Sequence, residues 1–446
     1  MNSIVNTEEF ITKITSVVPT EKQIEFQNME YYNFIHFGLN TFTNKEWGDG
    51  TADPAVFTVR EIDTDKWVRQ LKDTGSKGII ITAKHHDGFC LFASKYTDYN
   101  ITKTSYKDGK GDLVKDLANS CKKYGMKLGI YLSPWDRHES TYGTAEYNEY
   151  FCNQLTELCT SYGELFCFWF DGACGEGPNG KKQEYDWERY YDIINTLQPG
   201  AIIANCGPDV RWIGNEQGKG RKSEFSVVST KLRDRLFIAS MSQQQEGAKV
   251  MSKMPVETDE SLGDREKLVG EELCWYPAEM DISITEKGWF WRKSFELFSI
   301  RSVANLMRCY YGSVGNNATL LLNVAPNNKG ELPERYIKRL MQFKAKLDKQ
   351  FADEIEDIKI ERDGNDFVLS FPKAKVKTVV ICEDIKYSQR IENFTLSAKG
   401  KTIYEGTTVG FKKICNIKKN VETDQIRLTL DKCRGDAYMH RIRLYK

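Results

Sequence analysis

The sequence predicts an α/β protein in which a (β/α)8-like barrel is followed by a C-terminal all-β sandwich domain. Short apolar runs alternate with amphipathic helical stretches over the first 345 residues, the pattern of a parallel sheet covered by helices. Seven or eight strands in roughly 300 residues fit a closed barrel better than an open doubly wound sheet. No Gly-rich phosphate loop follows any of these strands, which also disfavours a dinucleotide-binding fold.

The predicted barrel strands are short runs rich in β-branched and aromatic residues. They cover residues 31–38, 78–84, 127–133, 165–172, 201–207, 274–283 and 318–326. The polar segment 223–273 offers no clear apolar run, so the sixth strand stays unassigned.

Three helices between these strands are the clearest, over residues 64–76, 112–125 and 186–200. In the second, Leu113, Val114, Leu117 and Cys121 share one face, and Gly125 follows its end. The spacing of the apolar residues therefore predicts helices that pack on the outside of the sheet.

The pattern changes after a helix that ends near Phe351. Five short strand-like runs joined by polar turns follow within about ninety residues, which predicts a β-sandwich. We therefore expect two domains, a catalytic barrel over residues 1–350 and a β-sandwich over residues 351–446.

The composition excludes several classes of partner. Sixty-three basic and sixty-three acidic side chains cancel, so no net field favours nucleic acid or a lipid surface. No run of about twenty apolar residues appears, and the N-terminus lacks the layout of a signal peptide.

Twelve cysteines are scattered without a C-x-x-C pair, which favours free thiols in a reducing, cytoplasmic setting. We expect no cofactor and leave the oligomeric state open.

Polar and aromatic side chains follow the predicted strands where barrel enzymes carry their reactive groups, at the C-terminal strand ends. These candidates, together with one tryptophan later in the chain, are His36, Glu46, Trp47, His85, His86, Tyr131, Asp171, Trp212, Glu216 and Trp289. Their convergence on one mouth predicts a site for a polar ligand with apolar faces, such as a sugar.

The adjacent His85 and His86 have three interpretations. They would point to opposite sides of a regular strand and could share one ligand only if the strand breaks there. A metal-dependent barrel hydrolase often begins with His-x-His on one strand, and this chain has none. Hydroxyl recognition is therefore favoured over a metal site, with a purely structural role as the remaining alternative.

Asp171 directly follows the apolar run "LFCFWF", and Glu216 lies on the next rim loop. A carboxylate at the end of a buried strand needs partners, so a helix cap or structural ion pair is one interpretation of Asp171. Two carboxylates across a sugar-sized pocket are also what glycosidic cleavage requires, with one attacking and the other transferring protons.

Five segments in this order resemble one family: "FIHFGLNTFTNKEWGDG", "KHHDGFCLFASKYTDYN", "LGIYLSPWDRH", "WFDGACGEGPNG" and "GPDVRWIGNEQG". Together they resemble the α-L-fucosidases of glycoside hydrolase family 29, over roughly residues 25 to 330. The last two segments look like the subgroup that acts on α-1,3/1,4-linked fucose. The resemblance implies a barrel with a C-terminal β-sandwich and a retaining mechanism without metal.

The resemblance also implies roles for individual residues. Asp171 matches the nucleophile and Glu216 the acid/base. His36, Glu46, His85, His86 and Tyr131 match contacts to fucose hydroxyls, and Trp47 and Trp289 match aromatics around the sugar. The expected substrate is a fucosylated, Lewis-type oligosaccharide or glycoconjugate. A broad-specificity α-L-fucosidase and a catalytically silent fucose-binding protein are the alternatives.

Overall fold

The computed structural model describes residues 4–234 and 261–446. Strands of its first part are β1 (Tyr31–Ile35), β2 (Gly78–Lys84), β3 (Lys127–Leu132), β4 (Cys167–Phe170), β5 (Ile202–Asn205), β6 (Arg211–Trp212), β7 (Val227–Ser229), β8 (Leu273–Trp275), β9 (Ala278–Ser283) and β10 (Ala318–Asn323). Eight of them form one parallel sheet in the order β5-β4-β3-β2-β1-β10-β9-β6. A parallel bridge between Ala204 and Val210 brings β5 beside the start of β6 and nearly closes the barrel. The predicted (β/α)8-like fold is thereby confirmed.

The sixth barrel strand is only two residues long and lies between the predicted fifth strand and the polar segment 223–273. Arg211 and Trp212 pair in register with Ala278 and Glu279 of β9. A run this short shows no periodicity, so sequence patterning could not find it. The run predicted over 274–283 also divides at Pro277, since β8 pairs antiparallel with β7 outside the barrel.

Side chains of the barrel strands alternate between the interior and the helical layer, as the two-residue period of a strand requires. On β2, Ile80 packs inside the barrel in one cluster with Phe34 and Trp169. Ile79 and Ile81, on either side of it, belong to the larger core between strands and helices. Burial on both faces explains why these strands are continuous apolar runs.

The helices confirm the three predicted from sequence. They are α1 (Glu8–Thr15), α2 (Glu21–Met29), α3 (Leu39–Thr43), α4 (Thr64–Asp73), α5 (Leu113–Tyr124), α6 (Ala145–Ser161), α7 (Trp187–Leu197), α8 (Arg265–Leu268), α9 (Lys293–Phe298), α10 (Val303–Gly312) and α11 (Glu334–Gln350). Helix α5 begins at an Asp112 cap that accepts from the Lys115 N–H at 2.8 Å. It ends at Gly125, whose φ of 65° is the left-handed conformation that glycine adopts without strain.

The C-terminal part is all antiparallel β, as predicted. Its strands are β11 (Lys359–Asp363), β12 (Asp366–Glu383), β13 (Ile391–Ala398), β14 (Lys401–Gly406), β15 (Lys413–Cys433) and β16 (Met439–Tyr445). Two of the five predicted short runs, residues 367–371 and 378–383, form one long strand, β12, with register shifts against β15. Bulges of this kind bend a strand. The long strands β12 and β15 pair with each other, β12 also pairs with β11 and β16, and β15 also pairs with β13. Their buried side chains form an apolar core separate from that of the barrel. A domain division at 350/351 stays a prediction.

A buried cluster of charges connects the C-terminal sheet to Arg265, the first residue of α8. Glu392 accepts from Nε of Arg265 at 2.9 Å and from Nε of Arg434 at 2.9 Å. All three side chains are almost completely buried. Burial alone would raise the pKa of Glu392, but hydrogen bonds and charge from the two arginines outweigh it and lower the pKa.

Replacing Glu392 by Gln should destabilise the protein by about 3–5 kcal/mol, because two buried guanidinium groups lose their counter-charge. Urea unfolding at neutral pH measures the loss, with Glu361→Gln on exposed strand β11 as the matched control. Since the folded pKa is lowered, the contribution exists above the ordinary value of 4.5 and disappears as the pH falls through the folded value. Equal midpoints for the two variants at neutral pH would contradict this account.

Candidate active site

The side chains predicted at the barrel rim lie together at the carboxyl ends of adjacent strands. His36 follows β1, the pair His85 and His86 follows β2, and Asp171 follows β4. Tyr131 lies on β3, one residue before its end. Because β1 to β4 are neighbours in a parallel sheet, their ends meet at one rim.

Asp171 is held by the protein but stays accessible. Its Oδ2 accepts from the hydroxyl group of Tyr131 at 3.0 Å, and its Oδ1 accepts from the backbone N–H of Ala173 at 2.9 Å. Nε2 of His86 lies 3.7 Å from Oδ2. The side chain is 26% exposed, so a ligand in the mouth of the barrel can reach the carboxylate.

The two adjacent histidines lie side by side because regular pairing of β2 stops at Lys84, after a register shift against β3. Their ring centroids are 4.1 Å apart. His85 stacks on Tyr131 at 5.6 Å, and Nδ1 of His86 contacts Oγ of Ser133 at 2.7 Å. The strand therefore breaks where the two histidines lie, which is the condition under which both rings can face one ligand.

Aromatic rings border the imidazoles. The ring of Trp289 lies 5.2 Å from that of His36, and the ring of Trp47 lies 5.5 Å from that of His86. Both tryptophans are partly exposed. The arrangement combines apolar ring faces with hydrogen-bonding groups, which is the combination that a sugar presents in return.

Trp289 connects the two glutamates of the site. Its backbone N–H donates to Oε1 of Glu46, and its indole N–H donates to Oε1 of Glu216 at 3.3 Å. Its carbonyl oxygen accepts from Nδ2 of Asn323 at 2.7 Å. One residue of the loop after β9 thus orients groups from the first and sixth strand ends.

Exclusion of water shifts the titration of these groups. Desolvation first, and the neighbouring charge of Asp171 second, raise the pKa of Glu216 to about 7, although the residue is exposed at the rim. Burial lowers the pKa of His36 to about 3 and that of His86 to about 4. Burial raises the pKa of Glu46 as well. At neutral pH the two imidazoles are uncharged, while Glu216 can give and take a proton.

Trp212 lies apart from the ring contacts described above. Its indole N–H donates to the buried carboxyl group of Asp281 on β9. The charge of Glu216, added to burial, raises the pKa of Asp281 well above its ordinary value. Trp212 therefore connects to the site through Asp281 rather than through His36 or Asp171.

Four residues of the site were missing from the sequence prediction: Ser133, Asp281, Phe290 and Asn323. Asn323 is the last residue of β10, so a polar residue at a strand end was the available signal. The alternation of Glu279 and Asp281 with apolar residues on β9 also indicates a polar barrel interior. Ser133 and Phe290 lie in loops whose paths the sequence pattern does not fix.

Three further properties concern the residues that the structure describes. No group of three or more His, Cys, Asp or Glu side chains within them is arranged to hold a metal ion. No helix among them is long and apolar enough to cross a membrane. All twelve cysteines fall in these ranges, and no disulfide bond joins any two of them.

The barrel rim holds two carboxyl groups, one of them with a raised pKa, beside neutral imidazoles and tryptophan rings. This fold and site define the class of glycoside hydrolases. Comparisons with known proteins narrow the class, since a profile of the α-L-fucosidase family matches residues 12–350. The chain belongs to the α-L-fucosidases of glycoside hydrolase family 29.

Individual relatives agree with this assignment. The chain is 35% identical to α-L-fucosidase 1 of Arabidopsis thaliana, over 96% of this chain and 87% of that protein. A glycoside hydrolase 29 family member from an unknown rumen bacterium is similar in structure, with a TM-score of 0.82 and 33% identity. That match covers 96% of this chain and 77% of the other. A Ruminococcus gnavus GH29 fucosidase in complex with fucose has a TM-score of 0.80 and 29% identity, covering 96% of this chain and 95% of that chain.

His36 and His86 should remain neutral from pH 5 to pH 8, because burial lowers the pKa of each well below the usual value of about 6.5. A pH titration followed by NMR of histidine-labelled protein checks this, with His36→Gln and His86→Gln identifying the two sets of signals. A free histidine-containing peptide titrated in parallel is the control. A midpoint near 6.5 for either residue would show that water solvates the ring.

Proposed function

We propose that this α-L-fucosidase is a retaining exo-enzyme that removes terminal α-1,3/1,4-linked L-fucose from Lewis-type oligosaccharides or glycoconjugates. Asp171 is the nucleophile and Glu216 the acid/base. The observation that carries the proposal is the contrast between the two carboxyl groups: Asp171 is anchored by two donors, while Glu216 beside it has a pKa raised to about 7. Two carboxyl groups with different environments suit two different tasks.

In the first step, Asp171 Oδ attacks the anomeric carbon of fucose as the bond to the aglycone oxygen breaks. Glu216, protonated because its pKa is raised, gives its proton to that oxygen. The hydroxyl group of Tyr131 and the N–H of Ala173 hold the carboxylate of Asp171 in one orientation for the attack. The product of the step is a covalent fucosyl-enzyme.

In the second step, Glu216 is ionised and removes a proton from water, which attacks the same carbon and releases fucose. Loss of the negative charge on Asp171 in the covalent intermediate removes one of the causes that raise the pKa of Glu216. Glu216 is therefore a weaker base but more readily ionised in this state, as the cycle requires. A retaining enzyme should hold the two carboxyl groups about 5–5.5 Å apart.

The remaining residues are proposed to bind the sugar. His36, His85, His86, Tyr131 and Glu46 supply hydrogen-bonding groups for hydroxyls, and Trp47 and Trp289 supply ring faces. The clustering of these groups around Asp171 and the fucose complex of the similar Ruminococcus gnavus enzyme support this assignment. Trp212, whose indole N–H donates to Asp281, is proposed to border the aglycone.

Replacing Asp171 by Asn should reduce turnover of a fucoside by about a thousandfold or more, because the amide cannot form the covalent intermediate. Release of fucose from an aryl fucoside and from a Lewis-type trisaccharide measures the loss. Asp234→Asn, outside the site, is the matched control. Substantial turnover by Asp171→Asn would remove Asp171 from the mechanism, and no turnover by the parent enzyme on either substrate would favour a silent fucose-binding protein.

The pH dependence of kcat/KM should show an alkaline limb near pH 7, since Glu216 must be protonated for the first step and has a pKa of about 7 in the free enzyme. The limb should disappear in Glu216→Ala, whose activity on the trisaccharide should fall about 10²–10⁴-fold. Azide should restore activity toward an aryl fucoside by replacing the water that Glu216 activates. An unchanged limb in Glu216→Ala would assign the acid to another residue.

The linkage preference predicts faster release of fucose from α-1,3- and α-1,4-linked oligosaccharides than from α-1,2- and α-1,6-linked ones. Side-by-side assays of the four linkages, with an aryl fucoside as reference, measure it. Comparable rates on all of them would identify a broad-specificity enzyme instead.

A further inference from the structure

The side-chain amide of Asn323, a fully buried residue, has an orientation fixed from both ends. Its Nδ2 donates to the carbonyl oxygen of Trp289 at 2.7 Å, and its Oδ1 accepts from the backbone N–H of His36 at 3.3 Å. A carbonyl can only accept and a backbone N–H can only donate, so the two ends of the amide cannot be exchanged. Nδ1 of His36 lies 3.0 Å from the same Oδ1 and must therefore carry the proton. Nε2 of His36 keeps a lone pair.

The hydroxyl group of Ser133 fixes His86 in the same way. Ser133 Oγ lies 2.6 Å from the carbonyl oxygen of Trp135, a contact in which only the hydroxyl can donate. Its single proton is thereby used, so Nδ1 of His86, at 2.7 Å from Oγ, must donate to it. Nε2 of His86 then carries a lone pair and lies 3.7 Å from Oδ2 of Asp171, which is also an acceptor.

His85 provides a contrast inside the same cluster. Its Nδ1 is buried and has no hydrogen-bond partner among the described residues. Its ring is held by packing against Tyr131 and Phe290 rather than by a hydrogen bond at Nδ1. The protein therefore determines the tautomers of His36 and His86 and leaves that of His85 to the ligand.

We propose that Asn323 and Ser133 are positioning residues that fix His36 and His86 as Nδ1–H tautomers, so that each Nε2 accepts a hydrogen bond from a sugar hydroxyl group. The part concerning the sugar rests on the proposed function, whereas the tautomers follow from the protein contacts. Fixing His86 also prevents it from donating to Asp171. The nucleophile is then oriented by Tyr131 and the Ala173 N–H without sharing a proton with an imidazole.

The direct test is nitrogen-15 NMR of the free enzyme labelled in its histidines at neutral pH. A protonated and an unprotonated ring nitrogen have well-separated shifts, and the chain has only five histidines to assign. Couplings to the ring carbon-bound protons identify which nitrogen is which. We expect Nδ1–H and bare Nε2 for both His36 and His86. An Nε2–H tautomer or an imidazolium at either residue would overturn the proposal.

The variant Ser133→Ala separates positioning from packing. It should give His86 a mixture of tautomers and weaken binding of L-fucose about tenfold, the loss expected for one oriented hydrogen bond. Ser120→Ala in α5 removes another buried hydroxyl, one whose two hydrogen-bond partners are Thr64 and Asp65 of α4; it is the matched control and should change neither property. An unchanged His86 spectrum in Ser133→Ala would overturn the assigned role, and the spectrum of the unmodified enzyme remains decisive if that variant does not fold.

The outcomes distinguish the two proposals. Nδ1–H tautomers in an enzyme that releases no fucose would support the positioning residues and contradict the proposed function. Fucose release by an enzyme with Nε2–H at His86 would support the proposed function and contradict the role of the positioning residues.

Discussion

Water is excluded from much of the carboxyl end of the barrel, and the polar groups placed there need partners in the protein or in the substrate. Desolvation is the largest cause of the pKa shift at the buried His36 and His86, and also at Glu216, whose side chain is exposed at the rim. Desolvation keeps the two imidazoles uncharged at neutral pH and raises the pH at which the glutamate ionises. One physical constraint thus produces neutral hydrogen-bonding groups for a neutral sugar and a carboxyl group able to transfer protons near neutral pH.

The loop after β9 shows how this constraint joins distant parts of the chain. Trp289 contacts Glu46, Glu216 and Asn323 through its backbone N–H, its indole N–H and its carbonyl oxygen. The contacts with Glu46 and Asn323 satisfy polar groups that would otherwise be costly to bury, and all three contacts fix a side chain of the site. Stability and positioning are served here by the same hydrogen bonds.

Much of the fold and site was predictable because the barrel strands are buried on both faces and end at one rim. The apolar runs before His85 and Asp171 located both residues at strand ends without any structural information. The two-residue strand Arg211–Trp212 was not predictable, since its existence depends on pairing with β9 rather than on its own pattern. Asn323 and Ser133 were missed for a related reason. Their importance lies in which neighbours they bond, and spacing along the sequence carries no information about contacts between residues 287 positions apart.

The assignment of Asp171 as nucleophile is the claim on which the mechanism depends. The most direct measurement is peptide mapping by mass spectrometry after inactivation with a 2-deoxy-2-fluoro fucosyl donor carrying a good leaving group, which slows breakdown of the covalent intermediate. The account predicts one fluorofucosyl group per chain, attached to the peptide that contains Asp171. Attachment to a peptide without Asp171 would contradict it. Hydrolysis of the fluorofucosyl donor without any covalent adduct would contradict it as well.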